Sequence, residues 1–207
     1  SSRLGSEANA RIVRACPSRK ISRLDLMSNP IRHPVETVSD APTPPAQIGK
    51  YRVLGRLGEG ATSEVFLAYD DFQGRNVAIK RVRAASMGDP TDAHYTERFF
   101  AAEAALVGRL QHPNVVQIYD AVPDPAAPYL VMEYVPGSTL RPYCRADQLL
   151  SLELVVEIGF KCAMALGYVF RQGLIHRDVK PANLLTVLNN NTITDVKITD
   201  FGSVYNL

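Results

Sequence analysis

Cysteine is scarce in this chain and does not pair: Cys16, Cys144 and Cys162 are an odd number with no Cys-x-x-Cys spacing. That excludes a disulfide framework and a zinc cluster and points to a reducing compartment. His33, His94 and His112 show no ligand spacing either. Long apolar runs are missing: no segment could span a bilayer, and the N-terminal region lacks the apolar core of a secretory signal. No Gly-x-x-x-x-Gly-Lys-Ser/Thr loop occurs, which excludes that class of nucleotide-binding protein. Internal repeats and coiled-coil heptads are absent as well. Charge is nearly balanced. Residues 1–26 hold six Arg/Lys against two acids, net +4, so the chain total of +2 leaves −2 for the remainder. The basicity therefore belongs to the leader and gives no reason to expect a nucleic-acid partner.

What is present begins with a composition 46% hydrophobic over 207 residues, enough for a folded core. Tyr51 to Leu57 and Val65 to Tyr69 alternate like strands on either side of Leu57-Gly58-Glu59-Gly60-Ala61-Thr62-Ser63-Glu64-Val65. This reads as a strand–loop–strand hairpin, where a dinucleotide-binding fold would need a helix. Its glycines leave room for the backbone to approach a phosphate with no Cβ in the way. Val77-Ala78-Ile79-Lys80 reads as a third strand. Phe100, Glu103, Val107 and Leu110 fall at helical spacing in an alanine-rich run bounded by His112-Pro113-Asn114. Glu103 is thus an acid on an apolar face, which is costly without a partner. Pro128 to Gly137 is an apolar strand running into a turn.

The densest chemistry lies downstream, in His176-Arg177-Asp178-Val179-Lys180-Pro181-Ala182-Asn183 followed by Asp200-Phe201-Gly202. Both motifs, in this order behind the glycine-rich hairpin, resemble those of the protein kinases. Met132-Glu133-Tyr134-Val135 and His176 to Pro181 are most similar to the eukaryotic-like (Hanks-type) kinases of bacteria. Lysine two places after Asp178 implies the serine/threonine branch. The resemblance implies an α+β, protein-kinase-like two-lobe fold: a small antiparallel β lobe with one helix, and a helical large lobe that is incomplete here. It implies Asp178 as base and orienter of a substrate hydroxyl, Lys180 against the γ-phosphate, and Asn183 and Asp200 as oxygen ligands for Mg²⁺. Lys80 would grip the α- and β-phosphates and pair with Glu103. Residues Leu57, Gly58, Glu59, Gly60, Ala61, Thr62, Ser63, Glu64 and Val65 would cover the phosphates, with Ser63 at the third glycine position tightening the loop. Val65, Ala78 and Leu185 would sandwich the adenine of ATP, with Met132 behind it and backbone groups of Glu133 and Val135 on its edge. His176, Phe201 and Val107 would stack as an internal spine. The implied reaction is γ-phosphoryl transfer from Mg-ATP to a Ser or Thr hydroxyl of a protein partner, in the cytoplasm.

Boundaries follow from composition and from the same resemblance. Residues 1–50 are expected to be a flexible leader and tether, of which 1–26 precede a more natural start at Met27 and are expected to be dispensable or untranslated. Residues 51–207 are expected to be a kinase catalytic domain cut short after Asp-Phe-Gly. A helical stripe of Val155, Val156, Gly159, Cys162, Ala163, Leu166, Val169 and Phe170 would then lie uncovered, leaving the isolated chain poorly soluble and inactive. Cys162, on that stripe, reads as a small core residue. Two other readings stay open: a nucleotide-binding regulatory module without catalysis, and an inactive gene fragment.

Overall fold

The computed structural model describes residues 44–60, 62–83, 90–124, 127–189 and 192–207. The expectations for residues 1–43 and for Ala61 lie outside the described residues. Six strands form one antiparallel sheet in the order β1-β2-β3-β4-β6-β5: β1 Gln47–Ile48, β2 Tyr51–Glu59, β3 Ser63–Asp70, β4 Arg75–Val82, β5 Ile118–Val122 and β6 Tyr129–Glu133. Period-two alternation sorts their side chains to two faces. Phe66, Ala68, Val77, Ile79 and Val131 are sealed with Tyr51 and Tyr129 on the outer face. Val65, Ala78, Leu130 and Met132 face the main core, with Leu106, Val196, Ile198 and Phe201.

Helix α1, Pro90–Ala104, carries Glu103 at its end. The sequence spacing ran this helix on to Leu110, and the structure corrects that. After Ala104 the chain tightens into i→i−3 bonds, Leu106 N–H to Glu103 O at 3.0 Å and Arg109 N–H to Leu106 O at 3.0 Å. Gly108 then takes φ +69°, a left-handed stop that suits glycine. The tighter winding brings Leu106 rather than Val107 into the deepest position, and Leu110 remains buried beyond it.

Helix α2, Leu152–Arg171, starts at Ser151, whose hydroxyl accepts the Leu154 N–H at 3.3 Å. It packs on β7 (Leu174–Ile175) and β9 (Thr192–Ile198) through Ile158, Cys162, Ala165 and Val169, an i, i+4, i+7, i+11 row. The expected stripe therefore divides: Cys162 and Val169 are buried and Leu166 half-buried, whereas Val155, Val156, Gly159, Ala163 and Phe170 lie exposed on the neighbouring face. Two adjacent faces of this helix are apolar, and the sequence could not say which one β9 covers.

Strand β8, Leu184–Asn189, pairs with β9, while β7 pairs with β10, Tyr205–Asn206. The connection between sheet and helical part is close. Val116 N–H donates to Ile198 O, and Ile198 N–H to Asn114 O, both at 2.8 Å. Gly137 sits where any Cβ would overlap the Thr186 carbonyl, so the exit from β6 passes flush against β8. No helix among the described residues is long and apolar enough to cross a membrane.

Candidate active site

Lys80 lies on the cleft-facing side of β4 because Val77 and Ile79 take the outer face. Its Nζ donates to Glu103 Oε2 and to Asp200 Oδ1, each at 2.8 Å. Glu103 Oε1 accepts the Phe201 N–H at 3.1 Å, so one buried carboxylate joins the sheet, α1 and the segment after β9. Burial drives the Lys80 pKa down, but the Glu103 and Asp200 carboxylates together outweigh it and hold the ammonium above the usual lysine value. Burial likewise lifts the Glu103 acid above the ordinary carboxylate range, offset only in part by Lys80.

The second half of the site is built on His176, which is 2% exposed. Its Nδ1 accepts the Asp178 N–H at 3.2 Å, which fixes the tautomer: Nε2 carries the proton and donates to Thr199 O at 3.1 Å. The ring also packs on Phe201, centroids 4.6 Å apart. One imidazole thus ties the Asp178 segment to the Asp200 segment. Arg177 and Asp200 are the two non-glycine residues with left-handed backbone among those described, φ 64° and 66°. Such conformations cost on the order of 1–3 kcal/mol each and persist where their surroundings enforce them. Arg177 is held by its Nε–H to Ser203 O at 2.7 Å.

Asp178 Oδ2 accepts from Lys180 Nζ at 2.7 Å and from Asn183 Nδ2 at 3.0 Å. The Lys180 hydrogen bond, chiefly, holds the Asp178 pKa below its usual value, so this carboxylate is ionised near neutrality. Asn183, 5% exposed, also donates to Asp178 O at 2.9 Å. Both donations use its nitrogen, and no donor to its amide oxygen occurs among the described residues.

Lys80, Glu103, Asp178, Lys180 and Asp200 line one cleft of about 400 Å³, roofed by Gly60, Thr62 and Ser63. The glycine-rich segment is mostly strand. Leu57, Gly58 and Glu59 finish β2, and Ser63, Glu64 and Val65 open β3, with Gly60 N–H donating to Ser63 O at 2.7 Å. Ser63 therefore closes the hairpin where no unusual dihedral is needed. A Cβ on Gly58 would meet no atom within 4 Å, open space consistent with close approach by a ligand. Glu59 and Glu64 do not line the cleft; arginines hold both side chains.

At the other end, Val65, Ala78, Met132, Val135 and Leu185 belong to one apolar cluster. The Glu133 N–H is taken by Gln117 O at 2.9 Å. Sequence reasoning missed what fixes the Glu133 side chain: Lys197 Nζ, 2.9 Å from its Oε1. Alternation along β9, with Val196 and Ile198 buried, was the available signal that Lys197 points the opposite way. Asn114, read only as a loop residue, donates to Asp195 Oδ1 at 2.7 Å and Val196 O at 2.8 Å. Val107 packs beside the cluster that holds Phe201.

A lysine–glutamate pair beneath a glycine-rich hairpin, with His-Arg-Asp and Asp-Phe-Gly segments converging on the same cleft, defines the catalytic core of a protein kinase. The family model described as protein kinase domain matches residues 51–207, and the chain belongs to that family, in its bacterial serine/threonine branch. It is 38% identical over 158 residues to a probable serine/threonine-protein kinase of Streptomyces coelicolor, covering 74% of this chain and 22% of that protein. Against serine/threonine-protein kinase PknB of Mycobacterium leprae it is 38% identical over 164 residues, 77% of this chain and 25% of the relative. Against serine/threonine-protein kinase PrkC of Bacillus subtilis the figures are 35% over 154 residues, 74% and 22%. The chain thus spans about a quarter of the length of these relatives.

Proposed function

We propose that the protein transfers the γ-phosphoryl group of Mg-ATP to serine or threonine hydroxyls of a protein substrate. The observation that carries this reading is the joined pair Lys80–Glu103 and Lys80–Asp200 beside an ionised Asp178 in one cleft. Asp178 accepts the hydroxyl proton and orients the oxygen, since its carboxylate is held ionised by Lys180 and Asn183. Lys80 and Lys180 neutralise phosphate oxygens, the main demand of a reaction with little covalent work for the protein.

The donor set fits Mg²⁺. Asn183 Oδ1 and the Asp200 oxygen not bonded to Lys80 are hard oxygen ligands of the type this ion selects. When bound, the ion supplies charge neutralisation on the phosphates. Val65, Ala78, Met132 and Leu185 give the adenine an apolar slot. The Glu133 carbonyl is its edge acceptor because the N–H is already committed, and Val135 supplies the second backbone contact. Balanced charge outside the leader favours a protein partner over nucleic acid, and the ATP requirement with unpaired cysteines favours the cytoplasm.

The test is transfer from γ-labelled ATP by the protein expressed from its native gene, followed by phosphoamino-acid analysis. Labelled serine or threonine, lost in Asp178→Asn, is the expected result. Nucleotide binding without any transfer would favour the regulatory-module reading instead.

A further inference from the structure

On the outer face of the sheet, away from the cleft, five side chains form an unbroken chain of alternating charge across three strands and the residue following β4. The order is Arg83–Glu59–Arg56–Glu64–Arg81. Arg83 Nη1 lies 2.6 Å from Glu59 Oε1, and Glu59 Oε2 lies 2.8 Å from Arg56 Nη1. Arg56 Nη2 lies 3.0 Å from Glu64 Oε1, and Glu64 Oε2 lies 3.1 Å from Arg81 Nη2. Each carboxylate oxygen has its own guanidinium. The inner members are well shielded, with Glu64, Arg56 and Arg81 side chains 13%, 18% and 27% exposed. The Arg81 and Arg56 guanidinium groups also sit 5.1 and 6.0 Å from the centroid of the buried Phe66 ring, within cation–π range.

The strand register explains why the chain exists. Glu59 and Glu64 are direct cross-strand partners at the mouth of the β2–β3 hairpin, an arrangement that by itself repels. Arg56 answers both with separate nitrogens, which its planar fork allows and a lysine ammonium would do less well. Beyond this pair the hairpin tip is thinly held. Its described ties are the pairing of Ser63 with Val82 in the β3–β4 ladder, Gly60 N–H to Ser63 O at 2.7 Å, Arg83 N–H to Thr62 O at 3.0 Å and Arg83 Nη1 to Gly60 O at 3.4 Å. The tip residues Gly60, Thr62 and Ser63 roof the cleft above Lys80, Asp178 and Asp200.

We infer that Arg56, Glu64 and Arg81 are positioning residues: this ion chain sets the height of the glycine-rich roof over the phosphate end of the cleft and so tunes affinity for the phosphates of the nucleotide. The inference rests on the ATP reading above. None of the three lines the cleft, so none touches a bound phosphate directly.

The experiment measures calorimetric affinities for Mg-ADP and for adenosine, using the protein from its native gene. Arg56→Met leaves the two glutamates opposed and is expected to weaken Mg-ADP roughly fivefold while adenosine stays within about twofold, the scale of two half-shielded ion pairs. Adding Glu64→Gln removes the opposed charge and is expected to weaken Mg-ADP no further, because residues of one network are not additive. Arg81→Met gives a smaller loss that Arg81→Lys restores, and it serves as the independent check if Arg56→Met unfolds. Parental Mg-ADP affinity in both Arg56→Met and Arg81→Met, equal weakening of adenosine, or additive losses in the double variant would overturn the inference alone. No Mg-ADP binding by the parent protein would overturn the ATP reading and this inference with it.

Discussion

Replacing Lys80 by methionine removes one ammonium and strands two carboxylates of very different exposure. Asp200 is 41% exposed at its side chain, so water takes over most of what it loses, on the order of 1 kcal/mol or less. Glu103 is 3% exposed and keeps only the Phe201 N–H. Breaking a buried pair by removing one partner costs about 3–5 kcal/mol, and the surviving N–H bond puts this site near the lower end, about 3 kcal/mol. The loss must depend on pH. With its cation gone, Glu103 has a folded pKa raised still further above its unfolded value, so the folded variant binds more protons than the unfolded one. The destabilisation is therefore small below the unfolded glutamate pKa and grows as pH rises through the folded one. Urea unfolding of Lys80→Met and parent between pH 5 and pH 8 measures it. A second substitution, Glu103→Leu, should recover most of the loss at pH 8 by removing the stranded charge. A pH-independent loss, or a double variant less stable than Lys80→Met, would refute the assignment of Glu103 as a buried, cation-dependent carboxylate.

Asp178→Asn should abolish phosphoryl transfer with Mg-ADP affinity close to parental, whereas Asp200→Asn should weaken Mg²⁺-dependent nucleotide binding as well; equilibrium binding beside labelled-phosphate transfer separates the two. Phe201→Ala, at a side chain 1% exposed against His176, should cost about 3–5 kcal/mol in denaturant unfolding. Burial opposes ionisation of Asp195, but the Val196 N–H, Lys161 and Asn114 more than compensate and depress its pKa. Its stabilising contribution is present above the unfolded aspartate pKa and disappears as pH falls through the folded one, so Asp195→Asn should flatten that part of the acid unfolding profile. Gly137→Ala should destabilise by about 1–3 kcal/mol, since the new methyl meets the Thr186 carbonyl, a rigid backbone atom.

The residues most legible in the sequence were those whose chemistry is unusual for their setting. An acid on an apolar helical face asks for a cation, and Lys80 meets Glu103 at 2.8 Å. The hairpin around Gly58 and Gly60 was readable because period-two alternation brackets it on both sides, although each strand runs two residues further into the loop than the pattern implied. Less legible was anything decided by competition among apolar surfaces. Val107 and Leu110 keep helical spacing in the sequence, yet Gly108 and the pull of Leu106 into the core end α1 at Ala104. The α2 stripe was expected to lie bare as a whole, yet Cys162, Leu166 and Val169 are covered, for a related reason: two apolar faces adjoin and only tertiary packing chooses between them. Lys197, Asn114 and the Arg56 ion chain were invisible because each acts through a polar or charged group that reads locally as an ordinary surface residue, Lys197 and Asn114 on partners far away in sequence.

An ammonium group has three protons and no more. At Lys80 two of them are already assigned, one to the helix that ends at Ala104 and one to the segment that follows Ile198. The remaining proton is the whole valence available to an incoming anion, so any guest needing two hydrogen bonds there must displace a resident carboxylate. Glu103, clasped by a second donor and shut away from water, is the poorer candidate to yield. Asp200 is the exchangeable partner. The nitrogen therefore behaves as a counter with one free slot and one negotiable one.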